Sequence, residues 1–183
     1  MPAHRSLWDV LTRRQPHDTT ATDLYGRLVA HARTPAFYAV HGVPDTPEGR
    51  LELIVLHLVL MLRRLAKDGE PGSSLSRAIS ETFVTDMDDC MREMGVSDIS
   101  VARKVKKVAA ALFDRIRDYG AALDTGDRDT LSALIARHIQ EAPAITAGAN
   151  RIADFAFDAE AGLARAELDE IKHAAHPFPT ITE

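Results

Sequence analysis

The sequence predicts an all-α fold: a single compact multi-helix domain built around one central buried helix. Three observations carry this expectation. Apolar residues recur at helical spacing in nearly every segment, and the alternation of β-branched residues that marks strands is almost absent. The stretch Leu53–Leu62 is apolar all round apart from His57, as in a helix enclosed by others. The chain of 183 residues can bury such a core without staples, and its lone cysteine, Cys90, excludes an intramolecular disulfide framework and a thiolate zinc cluster.

The first sixteen residues read as an arm that packs on the domain or frays. Leu7, Trp8 and Leu11 can share one face of a short helix there. Arg5, Arg13 and Arg14 are not followed by the apolar run of a secretory signal, and Trp beside Arg also suits an interface. A first helix is expected from about residue 20 to 33, with Leu24, Leu28 and His31 at i, i+4, i+7; Thr34-Pro35 ends it. Phe37 to Asp45, with Gly42 and Pro44, reads as an irregular connector. The second helix opens at Thr46-Pro47-Glu48, where Thr46 can cap, Pro47 suits the first helical position and Glu48 favours the positive helix end. It runs to about Lys67 and is the buried one. Asp68-Gly69-Glu70-Pro71-Gly72 reads as a break.

A third helix is expected from about Leu75 to Met94, stopped by Gly95. A fourth opens at Ser97 or Asp98 and reaches about Tyr119. Its inner face is Val101, Val105, Val108, Ala109, Leu112 and Ile116, and Gly120 and Gly126 mark its exit. A fifth covers about 127–139, with Leu131, Leu134, Ile135 and Ile139 inward. The Ala-rich stretch from about Thr146 to His173 is helical and the closing Pro177-Phe178-Pro179 is not. The expected organisation is an arm (1–16), a helical domain (17–176) and a C-terminal tail (177–183).

The 22 basic and 27 acidic residues leave a formal charge of −5, which argues against a general nucleic-acid binder, and no DNA partner is expected. The distribution is more informative than the sum. Between residues 80 and 100, Glu81, Asp86, Asp88, Asp89, Glu93 and Asp98 stand against Arg92 alone. Between 101 and 118, Arg103, Lys104, Lys106, Lys107, Arg115 and Arg117 fall on one arc of a helix against Asp114 and Asp118. A basic face of this kind is a solvated face, or pairs with the acidic helix before it, or contacts anionic lipid, RNA or an acidic protein. Met87, Met91 and Met94, at i, i+4, i+7, form either a core stripe or an adaptable apolar surface.

Motifs for catalysis are missing: there is no Gly-x-Ser-x-Gly, no dinucleotide fingerprint and no Walker sequence. Glu170, His173 and His176 give the one metal-like spacing. A carboxylate-bridged di-iron bundle needs two Glu-x-x-His pairs and two further Glu, so a solvated helix end is the expectation and neither metal nor cofactor is expected. No apolar run approaches the ~20 residues that a membrane-spanning helix needs. His57, inside the most apolar helix, reads as a satisfied core histidine rather than a ligand.

Several motifs in order resemble the ubiquinol–cytochrome c chaperone family. Phe37-Tyr38 and Val43-Pro44-Asp45-Thr46-Pro47-Glu48-Gly49-Arg50-Leu51-Glu52 lead into Val55-Leu56-His57-Leu58 and Leu62-Arg63-Arg64-Leu65. The middle reads Phe83-Val84-Thr85-Asp86-Met87-Asp88, then Arg92-Glu93-Met94-Gly95-Val96-Ser97-Asp98, then Val101-Ala102-Arg103-Lys104-Val105-Lys106-Lys107. The similarity covers about Tyr25 to Tyr119, and the C-terminal third only by length and helical character. It implies an all-α, non-catalytic assembly factor for respiratory complex III, acting on newly made cytochrome b. Mitochondrial members work with a small partner protein and associate with the ribosome near its tunnel exit. No long mitochondrial leader is read here, so the bacterial type is expected. The expected place is the cytoplasm, with the inner face of the cytoplasmic membrane as a second location. The alternatives are a helical metal-dependent enzyme and a membrane-surface adaptor without a specific client. Candidate contact residues are Arg103, Lys104, Lys106, Lys107, Asp86, Asp88, Asp89, Glu93, Met87, Met91 and Met94.

Overall fold

A computed structural model describes residues 19–181, and among these there are eight helices and no strand. In chain order they are α1 (Thr19–Ala32), α2 (Pro35–Ala39), α3 (Pro47–Leu65), α4 (Gly69–Glu93), α5 (Asp98–Thr125), α6 (Arg128–His138), α7 (Ala147–Arg165) and α8 (Leu168–His173). The expected arm lies outside the described residues.

α3 begins as its sequence predicts. Thr46 is extended, its Oγ1 accepts a hydrogen bond from the Gly49 amide at 3.1 Å, and Pro47 takes the first helical position. Every residue from Leu53 to Met61 is buried. A helix apolar on all sides must be covered on all sides, and α1, α4, α5 and α7 each pack against it. Among the described residues no helix is long and apolar enough to cross a membrane.

Several elements differ from expectation. The connector after Pro35 contains α2, one short helix that places Phe37 in the core. The break at residues 68–72 is shorter than its composition implies, because α4 starts at Gly69. Pro71 falls in the first turn, where a missing N–H leaves no helical bond unmade. Gly72 permits the tight α3–α4 junction: a Cβ there would stand 2.0 Å from the Leu65 carbonyl oxygen. The expected last helix is two helices, α7 and α8. Buried Arg64 of α3 holds the junction between them, with Nε donating to the Leu163 carbonyl and Nη2 to that of Ala166, both at 2.7 Å, while its Nη1 pairs with Asp68. Glu170 turns back to accept from the Glu167 amide at 3.0 Å and so opens α8.

α5 runs past Gly120 to Gly126, which caps it in the left-handed conformation at φ +66°. Inside the helix, Gly120 makes room for the Arg63 guanidinium, which a Cβ would approach to 3.1 Å. Arg63 reaches Glu160 of α7 at 2.6 Å and Asp124 of α5 at 2.7 Å. Residues 177–181 belong to the body. Arg27 of α1 donates to the carbonyls of Lys172 and Ala174, each at 2.5 Å, and Phe178 and Ile181 are buried in the core.

The Gly72 contact predicts that Gly72→Ala destabilises the protein by about 2 kcal/mol, because the junction must open. Gly26→Ala, at an exposed α1 position where a Cβ meets nothing within 4 Å, should be neutral or stabilising by about 0.5–1 kcal/mol. Urea denaturation of both variants checks the pair, and equal midpoints would refute the steric account.

Candidate functional site

α4 and α5 form a helical hairpin that leans on α3, and the two helices leave a groove between them. Leu62 of α3 and Ala66, just past its end, line the groove on one side, Val84 lines it from α4, and Ala109, Leu112, Phe113 and Ile116 line it from α5. Ser73, Ser76, Arg77 and Ser80 form the α4 edge, and the cavity measures ≈ 370 Å³. Ser80 Oγ donates to the Ser76 carbonyl at 2.8 Å, whereas the buried Ser76 Oγ has no hydrogen-bond partner. Phe113 is 46% exposed at the rim. The groove is apolar, open at the surface, and of a size to take a few side chains of an apolar segment.

The methionine stripe runs from core to surface. Met87 is a core residue, Met91 is half-buried and Met94 is 63% exposed. Only its far end therefore faces outward. The acidic candidates divide in the same way. Asp86 is held inside the fold, accepting from the buried Tyr25 hydroxyl at 2.7 Å; burial and this carboxylate push the Tyr25 pKa up. Asp88 accepts from Arg92 Nε at 2.5 Å, and Arg92 also pairs with Asp98 across the α4–α5 turn. Asp89 and Glu93 are exposed.

The six bases of the α5 arc separate into two groups. Arg115 turns inward and grips Glu52 of α3 through two hydrogen bonds of 3.0 Å, and Arg117 pairs with Asp114 and Asp118. Arg103, Lys104, Lys106 and Lys107 are exposed, and among the described residues none of them takes part in an ion pair, with the acidic helix or elsewhere. The arrangement can attract anions.

A second constellation lies in the core. Fully buried His57 places Nδ1 2.7 Å from the Leu53 carbonyl and Nε2 2.9 Å from Nδ1 of His31; His31 Nε2 lies 3.0 Å from the Pro179 carbonyl. Phe37, Phe155 and Phe178 ring the pair. Both His57 nitrogens lie within hydrogen-bond distance of a partner, in the core setting that the sequence predicts. Burial, with His31 adding to it, pushes the His57 pKa down to about 3. Burial also lowers that of His31, which the Pro179 carbonyl opposes and His176 reinforces. Carbonyl oxygens only accept, so the three contacts together call for three N–H groups, one more than two neutral imidazoles carry. Near the metal-like spacing, Glu170 is engaged by the Glu167 amide and His173 Nδ1 by the Asp169 carbonyl at 2.8 Å.

The described residues form an all-helical body with an open apolar groove beside a cationic helix face. A sequence model of the ubiquinol–cytochrome c chaperone family matches residues 39–175, and the chain belongs to that family. Its fold is similar to the crystal structure of the Cbp3 homolog from Brucella abortus, with a TM-score of 0.81 and 29% identity over 90% of this chain and 91% of the other. A sequence comparison with curated proteins gives no match.

The histidine pair predicts a specific acid sensitivity. His57 titrates near 6.5 when unfolded and near 3 when folded, so the unfolded chain binds the extra proton between those values. Stability that is present above pH 6.5 is lost as pH falls through this window. His57→Gln should lower stability at neutral pH by about 1–3 kcal/mol and flatten its loss toward acid. Urea midpoints measured from pH 7 to about 4 check this; an unchanged pH slope in the variant would refute it.

Proposed function

We propose that this chain is a non-catalytic chaperone that assists assembly of ubiquinol–cytochrome c reductase, respiratory complex III, by binding newly made cytochrome b. Family membership over residues 39–175 is the observation that carries the proposal. The likeness to the Brucella abortus Cbp3 homolog over most of both chains supports it. The apolar groove between α4 and α5 suits an apolar helical segment of a client, which would lay its side chains along Val84, Leu112 and Phe113. Met94, Asp89 and Glu93, exposed near the α4–α5 turn, extend the contact surface. Met94 repacks readily against varied side chains.

Two measurements test this. Removing the gene in its own organism should lower complex III and its cytochrome b spectrum, and the wild-type gene should restore both. Ser80→Trp, which fills the groove from its α4 edge, should leave melting within about 2–4 °C of wild type but fail to restore complex III. Normal complex III without the gene would refute the function. Full rescue by Ser80→Trp would refute the groove as the client site and leave the function standing.

A further inference from the structure

We propose that the outward face of α5 is a docking surface for an anionic lipid bilayer. At 100° per residue, Ile99, Arg103, Lys106, Lys107 and Phe113 fall within an arc of about 120°, and Lys104 lies about 60° beyond it. Ile99 is 89% exposed and Phe113 46%. The two stand about 21 Å apart along the helix, one before and one after the cations. From residue 99 to 113 this helix carries four cations and no acid. None of the four is in an ion pair among the described residues, although an acidic helix packs beside them.

The combination is selective. Unpaired cations alone would suit any polyanion. Bare Ile99 and Phe113 on the same face gain nothing from water, and they gain nothing from a phosphate backbone. At a bilayer surface the cations meet lipid phosphates while Ile99 and Phe113 enter the boundary between headgroups and acyl chains. A single-stranded RNA site would instead need several aromatic platforms, and this face has Phe113 alone. The surface stands without the chaperone reading. If both hold, the groove that Phe113 also lines opens next to the membrane that holds the client.

Flotation of the full chain with vesicles tests the proposal. The protein should float with vesicles of phosphatidylglycerol and phosphatidylcholine at least about tenfold better than with phosphatidylcholine alone, and added salt should release it. Lys106→Glu with Lys107→Glu should lower binding to anionic vesicles by about tenfold or more. Ile99→Ser should weaken binding several-fold while leaving its salt dependence intact. All three positions are exposed, so circular dichroism and melting should match wild type. Equal binding to neutral vesicles, no binding to anionic ones, or unaltered flotation of the variants would each overturn it. Binding of a single-stranded RNA by protein that does not float would do the same.

Discussion

Between Leu53 and Met61, α3 has no side chain facing water. A helix in that state is stable only when enclosed, since its own hydrogen bonds do not compensate for exposing so much apolar surface. Four helices enclose it, and the chain between them is arranged to let them approach. The one polar side chain inside that stretch, His57, would be costly if unpaired. Its partners are the Leu53 carbonyl one turn back and His31 of α1, and through His31 the Pro179 carbonyl near the chain's end. One buried imidazole thus ties α3 to α1 and to the C-terminal segment.

The C-terminal end of α3 solves the matching problem for cations. Arg63 and Arg64 are adjacent in sequence, so they point to different neighbours. Arg63 reaches carboxylates on α5 and α7 through the gap left by Gly120. Arg64 donates to the Leu163 and Ala166 carbonyls at the end of α7, where helical donors run short. With Arg115 fixed on Glu52, the inner charges of the fold hold its helices together. Arg103, Lys104, Lys106 and Lys107, on the outer face of α5, take part in no ion pair among the described residues. One helix thus carries both braces to its neighbours and unpaired cations on its outer face.

The helices and the enclosed status of α3 were legible because they depend on periodicity, which a linear sequence records. The family was legible because several motifs keep their order from Phe37 to Lys107. The misjudged places depend on neighbours. Gly69, Pro71 and Gly72 look like a break, yet the same residues permit a tight junction once α3 is in place. The division of α7 from α8 depends on Arg64, a hundred residues away. Phe178, set between two prolines, gave no periodic signal, and only the cage around His57 accounts for its burial. For the site, the basic cluster was legible as composition, but Arg115 turns inward because Glu52 lies opposite. The groove was not legible at all, since its walls come from three helices and its shape is set by the angle between α4 and α5.

Residues 177–181 give the fold an awkward calendar. A ribosome makes the innermost helix early and the segment that closes over its histidine late. Until residues 178 and 179 are made, His57 and the phenyl rings of Phe37 and Phe155 lack Phe178 on one side and the Pro179 carbonyl beyond His31. The order of translation therefore runs against the order of burial. The emerging chain carries an unfinished core until the stretch around Lys172 and Ala174 docks on α1 through Arg27.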